Sequence, residues 1–436
     1  MAKRFPDWAQ MPSVRTMFVI PDLHLESVRH AIRFGLLAAL AAFVLSLFVP
    51  YIGVFRKLEL TTQDARLRLR GKRPLSPAIA LIEIDEDSLR EYQNQWPIPR
   101  DQYALLLSAL AEQDVKALGI DLLYVGDDKY RESDSTTPTS DELLAAVIDR
   151  DPRVINGVYF PLVAPTMGAT ADGGTEVDSL RSRWLRFTAP LPTGIELVGI
   201  KKDATFDMQE DILESTVAVG HVSLYQDVDG VVRSVPLLIN YRGRAFPSLG
   251  LLMAARYLDA DWRKVHFSRG HAILPTPHGE VRIPVDEHAR MVISFPGGRD
   301  LFGKHSQRHE FINLVWEIKG ELPDSALVNG GLKALRGKVA LLCNTAATSA
   351  IADFGPTAFD PNFPLAYAHA SIVNSIVSGG NYLQNIPRSL QILFWALTAA
   401  VLGVVMSVVA PVTFLLATIG AILAYLVVGW AAAAFA

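Results

Sequence analysis

The chain has one cysteine, Cys343, among 436 residues, so no intrachain disulfide can form and the fold stands without oxidation. It also lacks an excess of either charge. Against 45 acidic side chains there are 41 basic ones, and a net charge of −4 removes the electrostatic case for nucleic acid. Half of the residues are hydrophobic, which excludes disordered, collagenous and disulfide-stapled classes. Paired cysteines and a nucleophile-elbow pentapeptide are absent, and Gly297-Gly298 lacks the companions that a phosphate loop requires. No catalytic residue, metal site or cofactor is expected.

Charge is missing altogether in two places. Phe34 to Phe55 is a run of 22 uncharged residues, and the 48 residues from Ser389 to Ala436 carry none. A helix rises about 1.5 Å per residue, so roughly 20 apolar residues cross a bilayer core. The expected organisation is a short cytoplasmic segment (1–33), a transmembrane helix (34–55), a large domain (56–388) and two further spans (389–410 and 411–436). A cleaved signal peptide fits poorly, because 33 residues precede the first run and its small residues lie inside it. Flanking basic residues number five before the first span and seven after it, so charge alone leaves the orientation open.

The middle reads as α/β. AIALIEID (78–85) and VKALGIDLLY (115–124) are buried-strand patterns on either side of a helix, DQYALLLSALAEQD, which predicts a parallel β-α-β unit. RVINGVYF is a third strand. HVSLYQDVDGVVRSVPLLINYRG predicts a hairpin about its Asp-Val-Asp-Gly turn, and FPSLGLLMAARYL an amphipathic helix. Short strands follow at AILP, VRIP and MVISF, then a mostly helical stretch. KVALLCN (338–344) is a late strand expected to return to the first sheet, and AYAHASIVNSIVSGG a helix stopped by Gly379. The expectation is a single mixed sheet.

This ordered series resembles CHASE2 domains, the extracytoplasmic sensory modules of bacterial transmembrane receptors. The resemblance runs through LELTTQDARLRLRG, PAIALIEIDEDSL, QWPIPRDQYALLLSAL, VKALGIDLLY, GHVSLYQDVDGVVRSVPLLI, FPSLGLLMA, LRGKVALLCNTA and PLAYAHASIVNSIVSGG, covering roughly residues 57–387. Two positions depart from the family pattern: Cys343 stands where a glycine is usual, and Ile120 where a phenylalanine is usual. The resemblance implies a multi-pass protein of the inner (plasma) membrane with its N-terminus in the cytoplasm and the sensor outside. It also implies an effector such as a nucleotide cyclase or a protein kinase. None is visible here, so the chain reads as either truncated or a stand-alone sensor. Expected partners are the bilayer, an unidentified extracytoplasmic ligand, and a second copy or an effector protein.

Glu83, Asp85, Asp121 and Asp353 fall at or beyond the carboxyl ends of predicted buried strands, where ligands bind in open α/β sheets. Trp96 and Arg100 lie in a proline-rich loop on the same side. Arginine can clamp an anion and tryptophan can stack on a ring. Asp85, Trp96, Arg100, Asp121 and Asp353 are therefore the candidate ligand-binding residues, set against plainer roles as helix caps and ion pairs. The rival functions are a membrane scaffold without sensing and an extracytoplasmic metal-dependent hydrolase.

Overall fold

In a computed structural model of the chain, the described residues are 25–48, 53–128, 137–163, 183–200, 208–303, 307–322, 328–348, 353–380, 382–383, 388–408, 419–420, 422–424 and 427. They fall into two compact units. One comprises Met1–Arg66 with Ile386–Phe435, and the other is Leu67–Asn385.

The first unit holds the apolar helices Leu25–Phe48 and Arg388–Val408, packed on each other. Their backbones approach closely at Gly35 and Gly403. A Cβ on Gly403 would come within 2.9 Å of the Ala38 Cβ, and one on Gly35 within 2.9 Å of the Ala400 carbonyl. Small residues permit such an approach where lipid supplies no hydrophobic drive between helices. Among the described residues one helix is long and apolar enough to cross a membrane, Val28–Ser46, and Ser389–Val405 is a shorter apolar helix. The apolar helix thus starts earlier than the expected 34–55 span. The expected 411–436 span lies almost wholly outside the described residues. Gly53–Arg70 is a further helix, the stalk, and it ends at Gly71, whose φ of +82° suits only glycine without strain.

The second unit is built on a six-stranded sheet. Its strands are β1 (Ile79–Ile84), β2 (Ala117–Asp121), β3 (Val154–Val158), β4 (Val219–His221), β5 (Arg308–Glu310) and β6 (Val339–Asn344). Their order is β5-β1-β6-β2-β3-β4, and every pairing is parallel. The late strand does return to the first sheet, in the central place between β1 and β2. Helices α1 (Glu86–Glu91), α2 (Arg100–Glu112), α3 (Ser140–Arg150), α4 (Leu249–Tyr257), α5 (Phe311–Lys319) and α6 (Ala366–Val377) cover the two faces. Leu81, Leu341 and Cys343 join the core that includes α4 and α6, whereas Ile82, Leu342 and Ile120 join the one that includes α2, α3 and α5. Strands buried on both faces read as continuous apolar runs, which is why β1 and β6 were legible.

The single mixed sheet gives way to several sheets. The antiparallel strands pair among themselves, as Leu238–Tyr241 with Arg244–Pro247, and His266–Ser268, His271–Thr276 and Gly279–Pro284 in sequence. Hairpins satisfy their hydrogen bonds locally, whereas parallel strands need crossovers, so the two kinds segregate. The hairpin about Asp227–Gly230 is present: Tyr225–Gln226 pairs with Val232–Pro236, and Gly230 takes φ +80° in the turn. The stretch read as mostly helical contains β5. The helix read as amphipathic, α4, is buried on nearly every side. Glycines let it sit so deep: a Cβ on Gly220 would meet the Leu249 backbone at 2.6 Å, and one on Gly250 the Ile372 side chain at 2.7 Å.

Candidate functional site

The carboxyl ends of β1, β6 and β2 lie side by side, with Glu83, Cys343 and Asp121 in register across them. Glu83 is 1% exposed, and its carboxylate has three partners. Arg308 Nε of β5 lies 2.8 Å from Oε2, the Thr345 hydroxyl donates to the same oxygen at 3.1 Å, and the Tyr367 hydroxyl donates to Oε1 at 2.8 Å. Burial nevertheless holds the Glu83 carboxyl above its usual range, with Arg308 and the two hydroxyls opposing the shift. Arg308 also reaches Asp85 Oδ2 at 3.0 Å. Asp85 Oδ1 caps α1 by accepting from the Ser88 amide (3.0 Å) and hydroxyl (2.9 Å), the plainer role set beside ligand binding for this residue. Ligand atoms of Asp85, Asp87 and Glu310 lie within 4.8 Å of one another. Each already has a protein partner, in Arg308, Arg90 and Asn313.

Asp121 ends β2 with its side chain 17% exposed, and His369 Nε2 of α6 lies 3.9 Å from its Oδ2. Burial and then the charge of Asp353 push the Asp121 carboxyl up to about 7. His369 is 1% exposed, with the Val222 backbone supporting its ring. His221, at the end of β4, is fully buried with the backbone of Pro236 and Ser223 against its ring. Burial brings the two imidazoles down to about 4 and about 3, and His369 adds to the lowering at His221. Both rings are thus neutral at neutral pH. Asp353 is exposed and opens the short hairpin Phe354–Gly355 with Phe363–Pro364, which leads into α6.

Arg100 belongs to a different cluster. It is buried at the start of α2 and forms an ion pair with Asp141 in the first turn of α3. Its backbone amide donates to Asp128 Oδ2 at 2.7 Å, and its guanidinium reaches the Val125 carbonyl at 3.2 Å. Trp96 is half-buried against the α2-side core and precedes Pro97 through a cis peptide. The expected crevice residues therefore divide into three groups: Asp85 with Arg308, Asp121 with His369 near Asp353, and the Arg100–Asp141 corner flanked by Trp96. Arg308, Thr345 and Tyr367 were missed. Arg308 sits in a three-residue strand too short to leave a period, and the helical spacing of Tyr367 and His369 says nothing of what they face. The paired descent of two strands into Glu-x-Asp and Ile-Asp was the usable signal.

The CHASE2 domain family matches residues 37–405, most of the chain. The chain belongs to the CHASE2 family. No curated protein and no solved structure matches it. CHASE2 domains are extracytoplasmic sensor modules of membrane proteins, so the chain carries a sensor domain.

The hairpin that Asp353 opens is also where this CHASE2 domain holds its stalk. Arg68 Nε in the last turn of Gly53–Arg70 donates to the Ala358 carbonyl at 2.5 Å. Arg70 donates to the Ser294 hydroxyl and the Phe295 carbonyl, both at 2.6 Å. Cations at a helix carboxyl end are favoured by its dipole, and these two additionally fasten it to the domain.

Proposed function

We propose that the chain is a multi-pass inner-membrane receptor whose extracytoplasmic domain senses a ligand or an environmental signal at the carboxyl ends of the central sheet. It passes the signal to an effector, a nucleotide cyclase or a protein kinase, in the cytoplasm. Asp85, Asp121 and Asp353 are the residues through which the stimulus acts, with Trp96 and Arg100 bounding the same side of the domain. The observation that carries the reading is the hairpin 354–364. It begins beside the Asp121 group and its Ala358 carbonyl is the acceptor for Arg68. A displacement at the strand ends therefore has a short covalent and hydrogen-bonded route to the helix that leads toward the membrane. A ligand shifts such a system only by its differential affinity for two states of the hairpin.

The chain is fused to a reporter cyclase, and output is read with Asp85→Ala and Asp121→Ala at normal surface levels. The expected result is a change of about fivefold or more in stimulated or basal output. Wild-type output from both folded variants would contradict the proposal.

A further inference from the structure

We infer that the Asp121–His369 pair is a proton-binding site, and that the stimulus it reads is the hydrogen-ion concentration outside the membrane. The inference deepens the sensory reading above and rests on it. Its geometry has three parts. Asp121 Oδ2 and His369 Nε2 stand 3.9 Å apart, beyond a direct hydrogen bond but within the range where a charge on one bears on the other. The histidine is almost wholly buried with the Val222 backbone supporting its ring, and Asp121 is the charged group beside it. A proton needs no cavity, and a cleft of about 370 Å³ lies elsewhere, along the amino-terminal side of β3 and β4, beside Ile155, Ala218 and Trp262.

The groups surrounding the pair set its sign. Cys343 of β6 is in register with Asp121, and Glu83 of β1 lies beyond it, neutralised by Arg308 and hydrogen-bonded by Tyr367 from α6. His221 of β4 is buried and neutral on the side of His369. Asp353 is the one of these whose negative charge opposes ionisation of Asp121. With a proton bound, the Asp121–His369 pair is net neutral and tolerates Asp353. When the proton leaves, the pair becomes net negative and repels Asp353, and the hairpin that Asp353 opens holds Arg68 through Ala358. Release of one proton to solvent thus bears directly on the stalk. The carboxyl position of about 7 places the transition where extracytoplasmic pH varies.

The test uses the full chain in liposomes, with Leu69→Cys carrying an environment-sensitive fluorophore. Leu69 is 68% exposed in the last turn of the stalk helix, and the native thiol, Cys343, is buried. Between about pH 5.5 and about pH 8.5 the wild-type background should show one transition near pH 7. Asp353→Asn should lower its midpoint by about half a unit or more, and Asp121→Asn should abolish it. A flat wild-type trace, or a transition that survives Asp121→Asn, overturns the inference. Arg68→Ala in the reporter fusion separates the two readings. Altered output there with a flat pH trace refutes the proton site and leaves the sensor. Unaltered output from both Arg68→Ala and Asp121→Asn refutes the sensor itself.

Discussion

Replacing Arg308 with alanine is expected to destabilise the sensor domain by about 3–5 kcal/mol, because it strands a buried carboxylate without its cation. Glu83 is 1% exposed, and Arg308 is the cation beside both it and Asp85. The hydroxyls of Thr345 and Tyr367 remain, but neutral donors do not balance a charge in a low-dielectric core. Without Arg308 the Glu83 carboxyl rises further and takes up a proton more readily, so the loss should shrink as pH falls toward 5. Urea unfolding of the full chain in mild detergent, at about pH 8 and at about pH 5, measures both effects. The double variant Glu83→Gln with Arg308→Met should recover much of the loss, since neither buried charge is then left alone. A loss under about 1 kcal/mol for Arg308→Ala would mean that the cluster is far better hydrated than its burial implies.

The second large effect is an acid limb. His221, His369 and His309 are buried and stand at about 3, about 4 and about 4 in the folded chain, against 6.5 when unfolded. The unfolded chain therefore binds more protons than the native one between about pH 4 and pH 6.5, and native stability falls as pH drops through that window. Asp121 works the other way. Its folded carboxyl at about 7, above the ordinary 3.8, binds a proton that the unfolded chain has lost, so it adds stability as pH falls. The three histidines together would give roughly 4 kcal/mol per pH unit at the steepest, and Asp121, with the likewise raised Glu83 and Asp353 carboxyls, reduces that slope. His221→Leu should flatten the limb by about 1.4 kcal/mol per unit, and Asp121→Asn should steepen it by about the same amount. Denaturant midpoints measured across the window give both slopes. A limb indifferent to His221→Leu would show that this ring is charged or hydrated in the native state.

What was legible in the sequence followed from burial on two faces. β1, β2, β3 and β6 are apolar runs of five or six residues, and both the β-α-β start and the late strand's return were readable from them. β4 and β5 have three residues each, too few to carry a period, so the sheet's two edges were not. The segregation of antiparallel hairpins from the parallel sheet was equally hidden, because alternation reports that a strand is half-buried but not what it pairs with. The acids at strand ends could be placed because chain direction fixes which end of a parallel strand they occupy. Their partners could not. Arg100 and Asp141 are 41 positions apart, and Glu83 and Arg308 are 225 apart, so only the crossovers bring them together. His369 left no signal of this kind, because its contact is with β2, across the helix–sheet interface.

The central claim is that the domain faces outward, and a single introduced thiol tests it most directly. Cys343 is fully buried and its thiol is held well above the usual range by burial, so it stays silent toward maleimides in the folded protein. Glu280→Cys places a reactive group on the exposed hairpin Gly279–Pro284. In intact cells whose outer barrier has been opened, a membrane-impermeant maleimide should label this variant as fully before lysis of the inner membrane as after it. Protection of the Glu280→Cys thiol until lysis would place the domain in the cytoplasm and contradict the account.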